Sequence, residues 1–216
     1  MKKQVEASHY GFGTYVSKKR WASMWHQLDE VLSLKPETVL ELGPGPGIFK
    51  ALAKAFGVTV ETVDIDPELK PDHRASILEM PFADNSYDLV CAFQMLEHLP
   101  YTNSLKAFSE MARVAKKHVV ISLPDAQRVW RFWFHIPYLG DYHWHLPLMP
   151  GVRKKHLFKG EHYWEINKRG YALKKVLADF SESASISKKI KLLHTYRVTE
   201  LPYHRFFVFA VTIQGN

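Results

Sequence analysis

Apolar positions along the chain keep two alternating rhythms. From Ser17, the residues Trp21, Met24, Trp25, Leu28, Val31 and Leu32 recur at helical spacing, which predicts an amphipathic helix with one apolar stripe and Ser17 as its N-cap. Val39-Leu40-Glu41-Leu42 then reads as a short buried strand running into glycine, and residues 48–56 as a helix halted by Gly57. A second strand, 58–63, ends at Asp64; Pro67 and Pro71 follow too closely for a full crossover helix, so a short turn is expected there. After the turn signal Asp84-Asn85-Ser86, the run 87–93 is apolar enough for a central strand. An amphipathic helix from Thr102 to about Ala115 turns Leu105, Phe108 and Met111 inward, and 118–123 is a fifth strand. Asn167 is predicted to cap a helix reaching Phe180, and two closing strands, 186–198 and 205–213, flank a turn at Leu201-Pro202-Tyr203.

One stretch keeps neither rhythm. Between Arg128 and Pro147 lie Trp130, Phe132, Trp133, Phe134, Tyr138, Tyr142 and Trp144, with His135, His143 and His145 among them. So many aromatics beyond the fifth strand suggest an apolar acceptor pocket, a membrane-facing or dimer surface, or an aromatic mini-core that packs the insertion onto the sheet. His143 and His145 share one side of an extended segment, but no third ligand stands at a diagnostic spacing, and no metal is expected.

Composition narrows the setting. With 46% hydrophobic and 24% charged residues the 216-residue chain is globular rather than disordered, and its length suits a single domain. Cys91 is the only cysteine, so no internal disulfide framework can form and a reducing, cytoplasmic setting is expected. Met1-Lys2-Lys3 leads into polar residues rather than an apolar signal core, and no apolar run approaches the roughly 18–20 residues of a membrane span. The formal charge of +7 (29 basic minus 22 acidic residues) admits nucleic acid or an anionic surface as partner. The basic residues are scattered in small clusters at Lys18–Arg20, Arg153–Lys155 and Lys188–Lys191, which fits a solvated basic surface better, so nucleic acid is not favoured.

Candidate chemistry concentrates in VLELGPGPGIF, Val39–Phe49. Gly43, Gly45 and Gly47 alternate with Pro44 and Pro46 between strand and helix, a geometry that lets a ligand lie against bare backbone at a helix N-terminus. Asp64 stands 19 residues after Gly45, close to the ~20 at which nucleotide folds place a carboxylate on a ribose diol. A dinucleotide fingerprint needs G-x-G-x-x-G; this loop is G-x-G-x-G, with Ile48 where the third glycine would stand. The string E-L-G-P-G-P-G resembles motif I of class I S-adenosylmethionine (SAM)-dependent methyltransferases. The likeness continues through Met80-Pro81-Phe82, a turn of the family's third motif, through AFQMLEHLP after the fourth strand, and through KGEHYWEI at 159–166, which resembles a bacterial and archaeal, type 11-like subset.

The resemblance covers roughly residues 14–213 and implies a Rossmann-like doubly wound α/β fold: a seven-stranded, mostly parallel sheet with helices on both faces and a last antiparallel strand. It implies one methyltransferase domain over 1–216, with a helical lid at 1–35, a SAM-binding core at 39–123, an acceptor or lid insertion at 126–166, and a C-terminal helix and strand pair at 167–216. Glu41, Gly43, Pro44, Gly45 and Gly47 would serve the amino-acid end of the cofactor, and Asp64 the ribose. Ile65 and Ile77 would stack on adenine, with Ser76 a shorter substitute for the acid that takes the adenine amino group. Phe93, Gln94 and Met95 would line the methionine side. Tyr10, Tyr15 and Arg20 are candidates for ligand contact from the lid, and His98 and His162 for the general base. Glu97 and His98 could equally stabilise the segment leading into the next helix. The expected reaction is methyl transfer from SAM to a small molecule, at oxygen, by in-line displacement, leaving S-adenosylhomocysteine, in a monomer or homodimer. No Asp/Asn-Pro-Pro-Tyr/Phe tetrapeptide follows the fourth strand, which argues against base amino groups as acceptors. The alternatives are an RNA- or protein-modifying methyltransferase, or a SAM-binding, non-catalytic partner protein.

Overall fold

The structure, a computed structural model, describes residues 11–149, 151–185 and 188–213. Its strands are β1 (Thr38–Leu42), β2 (Thr59–Asp64), β3 (His73–Arg74), β4 (Tyr87–Phe93), β5 (Ala115–Pro124), β6 (Val129–Ile136), β7 (Gly140–Pro147), β8 (Lys188–Arg197) and β9 (His204–Ile213). Its α-helices are α1 (Phe12–Tyr15), α2 (Lys18–Ser33), α3 (Ile48–Ala55), α4 (Tyr101–Val114) and α5 (Leu173–Ala184). Seven strands make one sheet in the order β3-β2-β1-β4-β5-β9-β8. Neighbours from β3 to β5 run parallel, and β9 is antiparallel to both β5 and β8, as the expected fold class requires.

Strand order reverses between β1 and β4, so the carboxyl ends of these parallel strands open a crevice at one edge of the sheet. Antiparallel β9 enters from that same edge: its first residue, His204, pairs with Pro124, the last of β5. Alternation along the strands sends side chains to two cores. Val31, Val39, Phe49, Ala53, Leu89 and Cys91 pack beneath α2 and α3. Leu40, Leu42, Phe108, Met111, Val176 and Phe180 pack beneath α4 and α5, where the Phe108 and Phe180 rings stack at 4.5 Å. Between β2 and β3 the connection is a single 3-10 turn, Pro67–Leu69, in place of a crossover helix.

Three local expectations are corrected. Ser17 does cap α2, its Oγ accepting from the Arg20 N–H at 3.2 Å, but Trp21 and Trp25 lie in solvent. Of the expected stripe, Met24 and Val31 are buried and Leu28 packs against the core; Ser23 joins them, its hydroxyl 2.8 Å from the buried His204 ring. Asn167 caps no helix: at φ +64 it turns the chain, its amide donates to Asp125 at 2.8 Å, and α5 begins only at Leu173. The aromatic insertion is no mini-core. It is a separate hairpin, β6–β7, whose register places Trp130, Phe132, Phe134 and Ile136 on one face with Leu146, Trp144 and Tyr142 opposite them. That wholly apolar face is open to solvent, Trp130 being 61% and Trp144 59% exposed. The other face carries Arg131, which donates to the Thr199 and Glu200 carbonyls and ties the hairpin to the β8–β9 turn.

At the hairpin's base, buried Asp125 accepts from Arg197 at 2.7 Å, Arg205 Nε at 2.8 Å and the Gln127 N–H at 3.1 Å, besides Asn167. Beyond it, residues 161–166 return across the crevice. Trp164 is fully buried and its indole donates to Ser104 Oγ at 2.9 Å, while Ser104 donates to the Leu96 carbonyl at 2.7 Å. With the Tyr163 N–H donating to the Glu97 carbonyl at 2.8 Å, this pins the late segment onto the loop that follows β4.

Candidate active site

The crevice is a cavity of about 790 Å³, within the ~300–1,000 Å³ usual for small-ligand sites. Gly43, Gly45, Val63, Asp64, Ile65, Ala75 and Ile77 line one part of it, and Phe93, Gln94 and Met95 the middle. Glu97, His98, Glu161, His162, Tyr203 and His204 are also on the lining, with Tyr15, Ser17 and Arg20 contributed by the N-terminal segment.

The glycine turn is dictated by backbone and by packing. Gly43, Gly45 and Gly47 have φ of +65, +53 and +73, the left-handed region that side chains resist. At Gly43 a Cβ would also stand 2.5 Å from Met95 Cγ, so the space its missing side chain leaves is filled by Met95. Gly47 is the N-cap of α3, supplies no side-chain cap, and lies off the cavity lining. Three other expected cofactor residues are off the lining too. Pro44 is buried in the turn, its carbonyl accepting from the Gly47 N–H at 3.0 Å. Ser76 turns its Oγ to the Leu78 N–H at 3.3 Å, so its hydroxyl serves the local backbone. Glu41 is buried with Oε2 unpartnered among the described residues, since β1's pleat puts it on the α2/α3 side with Val39. Burial pushes its carboxyl up to about 8, against the pull of Lys50.

Asp64, Ile65, Ile77, Phe93, Gln94 and Met95 all stand on the lining. Burial raises the Asp64 carboxyl, while the Asp66 and Ile65 N–H groups hold it back; the Asp66 N–H donates to Asp64 Oδ1 at 2.8 Å. Over the opening, the Arg20 guanidinium lies 4.3 Å from the centre of the Tyr15 ring, and burial lifts the Tyr15 phenol. Tyr10 lies outside the described residues.

At the far end the two expected imidazoles meet, with ring centres 5.0 Å apart. His98 Nδ1 donates to the Glu161 carbonyl at 3.1 Å, and His162 Nδ1 faces Glu165 Oε1 at 3.2 Å. Tyr203 donates to that same Glu165 oxygen at 2.8 Å. Burial works to raise Glu165, but His162, Tyr203 and Lys168 overturn it and hold the carboxyl at about 2. Burial likewise works against charge on His162, and Glu165 and Glu97 more than restore it, so its pKa is raised. Beside the imidazoles lies Glu97, wholly buried, with neither carboxylate oxygen partnered among the described residues; burial carries it to about 7 despite His162. His204 is pushed down to about 3 by burial, with the Arg20 and His162 charges adding to the effect.

Tyr203, His204, Glu161, Asp66 and Asn103 carry no signature in the sequence. Tyr203 and His204 arrive only because β9 inserts antiparallel beside β5, and the turn residues Leu201-Pro202-Tyr203 were the one local sign of that end.

A family model describing a methyltransferase domain matches residues 15–161. Among curated proteins, the chain is similar to an uncharacterized protein of Methanocaldococcus jannaschii, 37% identical over 83 residues, or 36% of each chain. The match thus spans little more than a third of the length of such relatives. Among solved structures, a Pyrococcus horikoshii protein superposes with a TM-score of 0.59 at 16% identity, covering 96% of this chain and all of the other. A Burkholderia thailandensis 1,6-didemethyltoxoflavin N1-methyltransferase, crystallised with its acceptor and S-adenosylhomocysteine, gives 0.57 at 16% identity, covering 96% of this chain and 85% of that one. At such identities the structural likeness speaks for the fold.

Proposed function

Because the chain belongs to the methyltransferase-domain family, we propose that it transfers the sulfonium methyl group of S-adenosylmethionine to an oxygen of a small-molecule acceptor. The observation that carries this reading is one continuous cavity, with the glycine turn and Asp64 in one part and His98 and His162 in another. In the first part, Asp64 accepts from the ribose hydroxyls, and Ile65, Ala75 and Ile77 give adenine apolar surfaces to stack on. Met95 and Phe93 then place the methyl group toward the histidines.

SAM is already an activated electrophile, so the chain's main work is alignment and exclusion of water. An acceptor oxygen lone pair forms the new C–O bond as the C–S bond breaks, and that electron pair stays on sulfur as a neutral thioether. Alignment of this kind supplies up to roughly 7–11 kcal/mol in model reactions. His162, its ring oriented by Glu165, or His98, oriented by the Glu161 carbonyl, accepts the acceptor's proton, worth about 10²–10⁴-fold where the acceptor is not already ionised. A hydroxyl acceptor suits that end because it gives up a proton on methylation, which His98 or His162 can take.

Calorimetric titration with SAM, S-adenosylhomocysteine and NAD tests the reading. Micromolar binding of both sulfur nucleotides and none of NAD is expected, with at least a tenfold loss in Asp64→Ala. Unchanged affinity in that variant would sink the ribose assignment, and absence of binding the whole proposal.

A further inference from the structure

We propose that Glu97, His98 and His162 bind a divalent first-row transition cation, of zinc-like preference, beside the acceptor end of the cavity. One ligand atom from each of the three lies within 4.8 Å of the others. A tetrahedral ion with bonds of about 2.0–2.1 Å holds its ligands roughly 3.4 Å apart, so closing the site takes side-chain shifts on the order of 1 Å.

Three further features support the assignment. Glu97 is wholly buried with both carboxylate oxygens unpartnered among the described residues, and as a carboxylate there it costs free energy that a bound cation would offset. Both imidazoles are oriented by oxygen atoms of the protein: Nδ1 of His98 lies 3.1 Å from the Glu161 carbonyl, and Nδ1 of His162 lies 3.2 Å from the Glu165 carboxylate. Carbonyl and carboxylate partners of this kind are what orient histidine ligands around a metal. Finally, two histidines and one glutamate make three protein ligands, the number found where a zinc-type ion keeps a position open for water or substrate.

The inference rests on the methyltransferase reading and deepens it. A hydroxylated acceptor takes the open position through its oxygen, the cation lowers that hydroxyl's pKa, and its proton passes to water. A lone pair of the bound oxygen then forms the O–CH₃ bond, the C–S pair stays on sulfur, and the cation is unchanged. His98 and His162 thereby act as ligands, and the Lewis acid takes over the work of a base.

Sequence spacing hides this set, because 63 residues separate His98 from the Glu161 carbonyl that holds it. The Trp164–Ser104 anchor and the Tyr163 N–H on the Glu97 carbonyl bring the two segments together.

Tag-free protein, stripped with a chelator, is titrated with Co²⁺ while its visible d–d absorption is followed; S-adenosylhomocysteine binding to the metal-free protein is measured separately. One equivalent of Co²⁺ is expected to bind. His98→Ala and the isosteric Glu97→Gln should each weaken it by more than the ~10–100-fold typical of losing an outer partner, with circular dichroism confirming that each variant is folded. The double variant His143→Ala/His145→Ala, on the hairpin, should bind Co²⁺ as the parent does. No stoichiometric uptake while S-adenosylhomocysteine still binds would overturn the cation site, as would parental affinity in folded His98→Ala. Uptake of Co²⁺ without S-adenosylhomocysteine binding would leave the site standing and remove the methyltransferase reading.

Discussion

Replacing Gly43 by alanine probes the joint between the glycine turn and the loop after β4. The substitution meets two penalties. At φ +65 a Cβ crowds its own backbone, at about 1–2 kcal/mol. It would also stand 2.5 Å from Met95 Cγ, and relieving such overpacking typically costs about 1–3 kcal/mol. Together Gly43→Ala should destabilise by about 2–5 kcal/mol. Met95 is only partly buried, so Met95→Ala should cost less than the ~2–5 kcal/mol of a fully buried methionine. Once Met95 is shortened the clash disappears while the backbone strain remains. In that background Gly43→Ala should therefore cost only about 1–2 kcal/mol, a coupling of about 1–3 kcal/mol between the two sites. Urea unfolding of the four proteins, followed by circular dichroism, measures it. Additivity to within about 0.5 kcal/mol would refute the view that Met95 occupies Gly43's vacant side-chain space.

Three other expectations follow from buried charge and exposed surface. Asp125→Ala leaves Arg197 and Arg205 facing each other with no carboxylate, and should cost about 3–5 kcal/mol in the same unfolding experiment; a loss under ~1 kcal/mol would mean the network is solvated. His204, held down to about 3, stays neutral in the folded chain but protonates when unfolded below about 6.5, so the stability it contributes is present above that pH and lost as pH falls toward 3. Its share of the slope should approach ~1.4 kcal/mol per pH unit between these limits, and His204→Asn should flatten the profile; an unchanged slope would show that His204 does not titrate this way. On the hairpin, Trp130→Ser/Phe132→Ser/Trp144→Ser should shift stability by no more than about 0.5 kcal/mol per site while reducing binding of a hydrophobic dye; a large cooperative loss would mean that face is buried in solution.

Much of the cofactor half was legible from the chain alone, since it depends on local rules. Val39–Leu42, the three glycines and the acid at the end of β2 lie within one short stretch, Val39 to Asp64, and strand periodicity, positive φ and loop length suffice to join them. Even there, the side to which a residue points depended on packing. Glu41 and Pro44 turned inward, Gly47 became a helix cap, Ser76 bonded its own backbone, and Gly43's space went to a methionine more than fifty residues on. The extent of α2's buried stripe was not legible: Met24, Leu28 and Val31 face the core as expected, but Trp21 and Trp25 at its edge stay in solvent. Ser23, polar and outside that stripe, is buried because His204 of β9 lies 2.8 Å from its hydroxyl.

The acceptor half was set almost wholly by tertiary structure. Aromatic content alone does not distinguish a core from a surface, and only the β6–β7 register shows that the apolar side faces solvent. His98 and His162 were identified individually, but their meeting with Glu97, Glu165 and Tyr203 requires a buried tryptophan to pin one loop on another and an antiparallel strand to enter from the site's edge. Local sequence determines which elements form, because dihedral preferences and periodic burial are short-range. Contacts between side chains sixty or a hundred residues apart are decided by the packing of the whole sheet, and the chemistry of this cavity is made of such contacts.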